Sequence, residues 1–137
     1  MTPRQVRVLK ESWARVAPNF DHLAAMFYSR LFELDPTIRP LFPNDMKAQE
    51  RKFADLLSVI VHGWEYLDDL LPALIDLGRR HRSYRVTDRM YGTVGKSLLW
   101  SLKQELGDGF TVEVEEAWAE TFNTLAEVMK SAAYATV

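Results

Sequence analysis

The residue with the clearest chemical potential is His81, which lies in the stretch LGRRHRSY at residues 77–84. It is one of three histidines in the chain and falls on the apolar face of a predicted helix. A neutral imidazole in such a place can ligate a metal or transfer a proton. It can also be a core side chain whose hydrogen bonds are satisfied within the protein. The residues alone leave both interpretations of His81 open.

Gln49 is a second polar side chain on an apolar helix face, where it shares its stripe with Phe53. Burying an amide without a partner costs about 1 to 3 kcal/mol, so a partner or a ligand is expected for it. Tyr28 and Tyr91 can also direct phenolic hydroxyl groups inward. A tyrosine more often packs its ring and leaves its hydroxyl in water, so this interpretation stays open for both.

The other two histidines are not expected to be metal ligands. His22 and His62 share their helix faces with polar residues, which predicts surface positions for both. Without a second histidine at helical spacing, or a cysteine, a zinc site is not expected. The chain contains no nucleophile elbow, P-loop or dinucleotide fingerprint, so hydrolase and nucleotide-dependent functions have no support.

A run of arginines surrounds His81, and three interpretations compete for it. Cations near a helix C-terminus stabilise the helix dipole by a few tenths of a kcal/mol each. A nucleic-acid surface is disfavoured, because no aromatic platform or recognition helix accompanies the run. The third interpretation is that the cations neutralise carboxylates on a ligand held by His81. The run consists of Arg79, Arg80, Arg82, Arg85 and Arg89.

Composition limits the class of protein. With 137 residues, 47% of them hydrophobic, the chain predicts a single domain over residues 1–137. A net charge of −2 gives no basic field for nucleic acid, and the absence of cysteine excludes disulfides, iron–sulfur clusters and thioether-linked haem. The N-terminus lacks the apolar run of a signal peptide, and the run at residues 56–64 is too short to cross a membrane. We therefore expect a soluble, cytoplasmic protein without a membrane or nucleic-acid partner.

The elements that carry these residues are predicted to be helices, because apolar residues recur at three- and four-residue steps almost throughout. This pattern predicts an all-α fold. Thr2, Pro3 and Gln5 provide the N-cap, first-turn proline and capping-box partner of the first helix. The second helix ends at Asp35 and Pro36, because the residue before a proline disfavours the α conformation.

A proline-rich corner follows the second helix. It carries Leu41 and Phe42, which a plain surface loop would not need. Asn44 or Asp45 is expected to cap the third helix, which carries Gln49.

The second half of the chain is predicted to contain three more helices. An acidic turn at Asp68 and Asp69 precedes a short helix that begins near Pro72 and carries His81. A long helix then ends at GDG, residues 107–109, and a last helix runs from about Thr111 into the 130s. The alternating stretch FTVEVE resembles a strand, but a single strand would have no partner.

Several stretches together resemble the globin family: the corner DPTIRPLF, LGRRH, YGTVGKSLLWSLKQELGDGF and EAWAETF. The likeness covers nearly the whole chain and is greatest to bacterial single-domain haemoglobins and the globin module of flavohaemoglobins. A corner phenylalanine, Phe42, precedes the helix histidine, His81, by 39 residues. The resemblance implies a globin fold whose helices pack around a haem pocket.

The resemblance also implies residue roles. His81 matches the proximal ligand of a non-covalent haem b iron, and Phe42 matches the aromatic side chain that wedges the porphyrin. Tyr28, Gln49 and Phe53 match the distal positions over the iron. Further cofactor contacts are expected from Lys52, Leu77, Arg82, Tyr84, Val86, Tyr91, Val94 and Leu98. In flavohaemoglobins a tyrosine matching Tyr91 joins a glutamate, whose place here falls at or near Ala133.

Two distal donors predict a high-affinity dioxygen binder that also binds carbon monoxide and nitric oxide. The competing function is a nitric oxide dioxygenase or detoxifying protein that depends on a separate reductase. A gas sensor, a scavenger and a globin-fold interaction protein without haem are further alternatives. A monomer or a homodimer is expected.

Overall fold

The computed structural model describes residues 1–83 and 86–134, without the side chains of residues 82–83 and 132–134. The described residues contain α-helices and short 3₁₀ turns but no strand, so the all-α prediction is confirmed. The stretch FTVEVE does not pair as a strand, since its residues from 112 onward open the last helix. The α-helices are α1 (Pro3–Val16), α2 (Phe20–Leu34), α3 (Lys47–His62), α4 (Leu67–Ser83), α5 (Asp88–Leu106) and α6 (Val112–Tyr134).

The first helix begins as predicted and packs against the last. The Thr2 hydroxyl accepts from the Gln5 amide at 3.1 Å, and the Gln5 side chain accepts from the Thr2 amide at 2.9 Å. On the buried face, Trp118 Nε1 of α6 donates to Ser12 Oγ at 2.8 Å. Ser12 Oγ donates in turn to the Leu9 carbonyl at 2.9 Å, so the buried indole and hydroxyl both have partners.

Helix α2 packs against α5 and ends at the corner that was predicted from its prolines. Ser97 Oγ of α5 donates to the Phe27 carbonyl of α2 at 2.6 Å, which ties the two helices inside the core. The corner is a 3₁₀ helix over Pro36–Leu41. It is followed by the start of α3, whose N-cap is Met46, so the prediction that Asn44 or Asp45 caps this helix was wrong. Asp45 Oδ1 nevertheless accepts from the backbone amide of Lys47, the first residue of α3, at 3.1 Å.

The prediction for α4 was wrong at its start. The helix begins at Leu67 and is 17 residues long, whereas a short helix from about Pro72 was expected. Asp68 and Asp69 lie in its first turn, where carboxylates stabilise the positive end of the helix dipole. Pro72 lies inside the helix, where it removes one backbone hydrogen bond and its ring crowds the carbonyl of the preceding turn.

Helix α4 approaches the backbone of α6 at Gly78. A Cβ atom at this position would lie 2.4 Å from the Met129 carbonyl oxygen and 2.8 Å from Met129 Cα. Such distances are far shorter than van der Waals contact, so only glycine permits this approach. The contact fixes α4 against α6 three residues before His81.

The chain turns from α5 into α6 at Gly107, whose φ of 55° is one that glycine adopts easily. Every described helix has an exposed face, and none is long and apolar enough to cross a membrane.

Candidate functional site

The hydroxyl of Tyr28 and the amide of Gln49 meet between α2 and α3. Gln49 Nε2 donates to the Tyr28 hydroxyl oxygen at 3.1 Å. The Tyr28 side chain is 6% exposed and Gln49 is partly buried. Because the phenolic oxygen accepts this bond, its own proton can be donated to another acceptor. The pair therefore presents a polar donor inside an apolar region.

Aromatic rings enclose this pair. Desolvation raises the pKa of Tyr28 to about 12, although the hydrogen bond from Gln49 acts in the opposite direction. The phenol is consequently neutral and able to donate at physiological pH. Ring centroids around Tyr28 lie at 4.8 Å for Phe27, 5.5 Å for Phe42, 5.7 Å for Phe53 and 6.1 Å for Phe32.

The corner that carries Phe42 is held by Arg39. This guanidinium donates to the backbone carbonyls of Phe42, Pro43 and Asn44 at 3.2, 2.9 and 3.2 Å. It also lies over the Phe32 ring, 5.1 Å from the centroid. Three carbonyl bonds from one cation fix the backbone that directly follows the corner, so the Phe42 ring is positioned by more than apolar contact.

A buried carboxylate ties the same corner to α5. Asp35 is 8% exposed and accepts from the Thr37 amide at 3.0 Å and the Thr37 hydroxyl at 2.5 Å. Arg89 of α5 donates to it at 3.1 Å. The hydrogen bond from the Thr37 side chain is the main cause that lowers the pKa of Asp35, with Arg89 contributing. The carboxylate therefore stays charged and links the two elements.

His81 lies partly buried near the end of α4. Its Nδ1 is 2.7 Å from the Leu77 carbonyl oxygen, one helical turn earlier. Burial is the main cause that lowers the pKa of His81; the Leu77 contact acts in the opposite direction and Arg80 adds to the lowering. A neutral ring that donates from Nδ1 to a carbonyl carries its lone pair on Nε2, the tautomer that a metal ligand requires.

Tyr91 of α5 stacks on His81. Their ring centroids are 6.3 Å apart and their planes differ by 30°. Tyr91 belongs to a buried cluster with Ala126 and Met129 of α6, against which Leu77 and Val86 pack. The histidine ring is thus oriented by its own helix and by residues from α5 and α6.

The sequence model of the globin family matches residues 25–129, which hold both the Tyr28–Gln49 pair and His81. The chain belongs to the globin family. This membership supports a haem cofactor and haem-based binding of diatomic gases. It also confirms the family resemblance that the corner and helix motifs indicated.

The proteins that are similar to this globin include neuroglobins and flavohemoproteins. Neuroglobin of Danio rerio is 28% identical over 136 residues, which cover 89% of this chain and 86% of that protein. Neuroglobin-2 of Oncorhynchus mykiss is 28% identical over 143 residues, covering 94% and 90%. A flavohemoprotein of Halalkalibacterium halodurans is 28% identical over 125 residues; the match covers 89% of this chain but 30% of that longer protein.

The remaining predicted pocket residues of the globin have different surroundings. Leu98 is 3% exposed and belongs to the large core cluster, against which Phe42, Phe53 and Val94 pack. Lys52 is exposed on α3. Tyr84 and the side chain of Arg82 lie outside the described residues.

Two arginines from the run around His81 pair with carboxylates of the globin itself. Arg80 lies 3.3 Å from Asp76 on the same helix, and Arg89 bonds to Asp35. The interpretation that the arginine run neutralises carboxylates on a ligand therefore applies to Arg79, Arg82 and Arg85. His22 and His62 are exposed, as predicted.

Sequence reasoning missed four residues that shape this globin site. Phe32 could have been found, because it lies four residues after Tyr28 on the same helix. Gly78 and Lys130 act through contacts with residues far apart in sequence, so no local pattern indicated them. Arg39 donates to backbone carbonyls three to five residues later, and an acceptor that every residue carries leaves no signal in the sequence. Lys130 Nζ lies 5.5 Å from the Tyr91 ring centroid.

Proposed function

We propose that this globin binds haem b without a covalent link and holds dioxygen reversibly and with high affinity at the haem iron. Carbon monoxide and nitric oxide are proposed as further ligands. The observation that carries the proposal is the hydrogen bond between Gln49 and the buried Tyr28. When bound, the haem would supply a ferrous iron that can bind a diatomic gas.

The residues present fit this cofactor. His81 has the burial, the lowered pKa and the Nδ1 contact that make its Nε2 a neutral ligand for iron. The rings of Phe42 and Phe53, which pack edge to face against the Tyr28 ring, offer the apolar surface that a porphyrin needs. A thioether link is excluded because the chain has no cysteine.

Each of the other site residues has a proposed part. Phe42 packs against the porphyrin from the corner that Arg39 fixes. The apolar walls come from Phe53, Leu77, Val86, Val94 and Leu98, while Tyr91 orients His81. Lys52, Arg82 and Tyr84 are proposed to meet the polar edge of the cofactor.

With haem bound, the Tyr28 hydroxyl would donate a hydrogen bond to a gas ligand, and dioxygen would accept it better than carbon monoxide would. Gln49 donates to the Tyr28 oxygen, and a donor polarised in this way is strengthened. One charge-assisted hydrogen bond is worth about 1.5 to 3 kcal/mol, which corresponds to slowing dioxygen release by about 10- to 100-fold. Carbon monoxide gains less from the same donor.

Removing the Tyr28 hydroxyl tests the proposal. In haem-loaded protein, Tyr28→Phe should accelerate dioxygen dissociation by about tenfold or more, measured by stopped-flow displacement with carbon monoxide. Tyr66→Phe is the matched control, because Tyr66 is 67% exposed and lies away from the pair. A release rate that stays the same in Tyr28→Phe would contradict the proposal.

A second candidate is a nitric oxide dioxygenase that receives electrons from a separate reductase. The similarity to a flavohemoprotein favours it. Nitric oxide, dioxygen and one electron together give nitrate, so the electron must be supplied in every cycle. Stoichiometric nitrate formation, followed by repeated turnover with an added reductant, would support this candidate. Slow or absent nitrate formation would leave reversible gas binding alone.

A further inference from the structure

We propose that Lys130 raises the reduction potential of the haem iron by placing a positive charge against the Tyr91–His81 stack. The proposal rests on the proposed function, because it assumes that His81 ligates the iron. It assigns a role to a residue that neither ligates the iron nor faces the gas. Lys130 is therefore a tuning residue that acts through others.

The geometry is a sequence of contacts across three helices. Lys130 of α6 has its Nζ 5.5 Å from the centroid of the Tyr91 ring on α5. The Tyr91 ring is 6.3 Å from the His81 ring of α4, with the planes 30° apart. An ammonium group at this distance from an aromatic ring is attracted by the negative face of the ring.

The charge of Lys130 is weakly compensated by the surroundings. Among the described residues, the carboxylate that pairs with it is that of Glu127, 3.9 Å away, and the Glu127 side chain is 75% exposed. A pair at that distance with an exposed partner is a weak one. The Lys130 side chain itself is 27% exposed and Tyr91 is 6% exposed, so less water screens the charge toward the histidine than away from it.

Lys130 affects the reduction potential because oxidation changes the charge on the iron. Oxidation from ferrous to ferric adds one positive charge at the metal, and a nearby cation disfavours that change. Lys130 thus favours the ferrous state, which is the state that binds dioxygen. A carboxylate facing Tyr91 would have the opposite effect and would lower the reduction potential. Flavohaemoglobins have such a carboxylate, a glutamate, at the position that falls at or near Ala133 in this chain.

A purely structural role is the alternative. The methylene stem of a lysine can cover an aromatic ring and stabilise it without any effect of the charge. In that case a neutral side chain of similar length would leave the potential unchanged. The two roles are therefore separated by removing the charge while keeping the stem.

Spectroelectrochemical titration of the haem-loaded full chain is the test. Lys130→Met should lower the midpoint potential, so that the ferric-to-ferrous ratio at the wild-type midpoint rises by about three- to tenfold. Lys130→Arg keeps the cation over the ring and should stay within twofold of wild type. Lys103→Met removes an exposed lysine near the end of α5 and should also stay within twofold. Lys130→Gln replaces Lys130→Met if the latter does not fold.

Resonance Raman spectra of the ferrous forms add a readout that a packing role would not move. The iron–histidine stretching frequency should shift in Lys130→Met and not in Lys130→Arg. An unchanged midpoint in the neutral variant, Lys130→Met or its replacement Lys130→Gln, overturns the role of Lys130 and leaves the proposed function intact. Failure of the wild-type chain to bind haem overturns both.

Discussion

The two sides of the candidate pocket are built differently. On the distal side, neighbouring elements of the sequence, α2, the corner and α3, bring Tyr28, Phe42 and Gln49 together through hydrogen bonds and ring contacts. On the proximal side, α4, α5 and α6 meet through the Tyr91 stack and the approach at Gly78. The proposed gas donor, Tyr28, and the proposed iron ligand, His81, are thus positioned by separate parts of the core. Distal changes should alter ligand release, and proximal changes should alter haem retention and redox properties.

Gly78→Ala should produce the largest effect on stability. The new methyl group would meet the Met129 backbone, which cannot turn aside as a flexible side chain can. Overpacking of this kind costs about 1 to 3 kcal/mol, and we expect the upper part of that range. Haem should also dissociate faster, because α4 carries His81. Urea unfolding and haem transfer to apomyoglobin measure the two effects.

Gly92→Ala is the matched control for that substitution. A Cβ atom at Gly92, in α5, meets nothing within 4 Å. Alanine in a helix is favoured over glycine by about 1 kcal/mol, so this variant should be as stable as wild type or more so. Equal destabilisation by both alanines would mean that the approach of α4 to α6 is not a tight one.

The stability of the protein at high pH should reveal whether the Tyr28 hydroxyl is buried. The folded-state pKa of Tyr28 is raised from 10.0 to about 12, so folding holds the proton more tightly than the unfolded chain does. The resulting stability is fully present below about pH 10 and is lost as pH rises toward 12. Relative to Tyr28→Phe, the wild-type apoprotein should lose about 1.4 kcal/mol between pH 8 and pH 11. A difference that does not vary with pH would show that the hydroxyl is solvated.

Gln49→Leu should have the smallest of these effects. It removes the donor to Tyr28, so the hydroxyl is less polarised but can still reach a ligand. Dioxygen release should accelerate several-fold, corresponding to about 1 kcal/mol and less than in Tyr28→Phe. Gln104→Leu, at an exposed site on α5, should leave the rate unchanged. If Gln49→Leu accelerated dioxygen release more than Tyr28→Phe does, the Gln49 amide would be the main donor to the gas.

The distal residues could be predicted because each breaks a local pattern. Gln49 is a polar residue on an apolar stripe, and Phe42 is an apolar one in a proline-rich corner. The bond between Gln49 and Tyr28 depends on how α2 and α3 pack, which helical periodicity does not specify. The all-α fold could be predicted because apolar residues recur at three- and four-residue steps, and the same recurrence defines the apolar stripes.

The proximal contacts could not be predicted, because they join residues far apart in sequence. Nothing around Gly78 indicates that Met129 lies against it, or that Lys130 lies over Tyr91. The start of α4 was misplaced because Pro72 and two aspartates are turn signals as often as they are residues of a first helical turn.

The most direct measurement is the visible absorption spectrum of haem-loaded protein beside a His81→Ala variant, ferrous and ferric, with and without dioxygen. The wild type should give a five-coordinate ferrous spectrum that converts to a long-lived oxygenated form, and the variant should lose this spectrum. Loss of haem binding in the wild type, or a variant spectrum identical to it, would contradict the assignment of His81 as the iron ligand. A six-coordinate ferrous spectrum without added gas would contradict the open distal position.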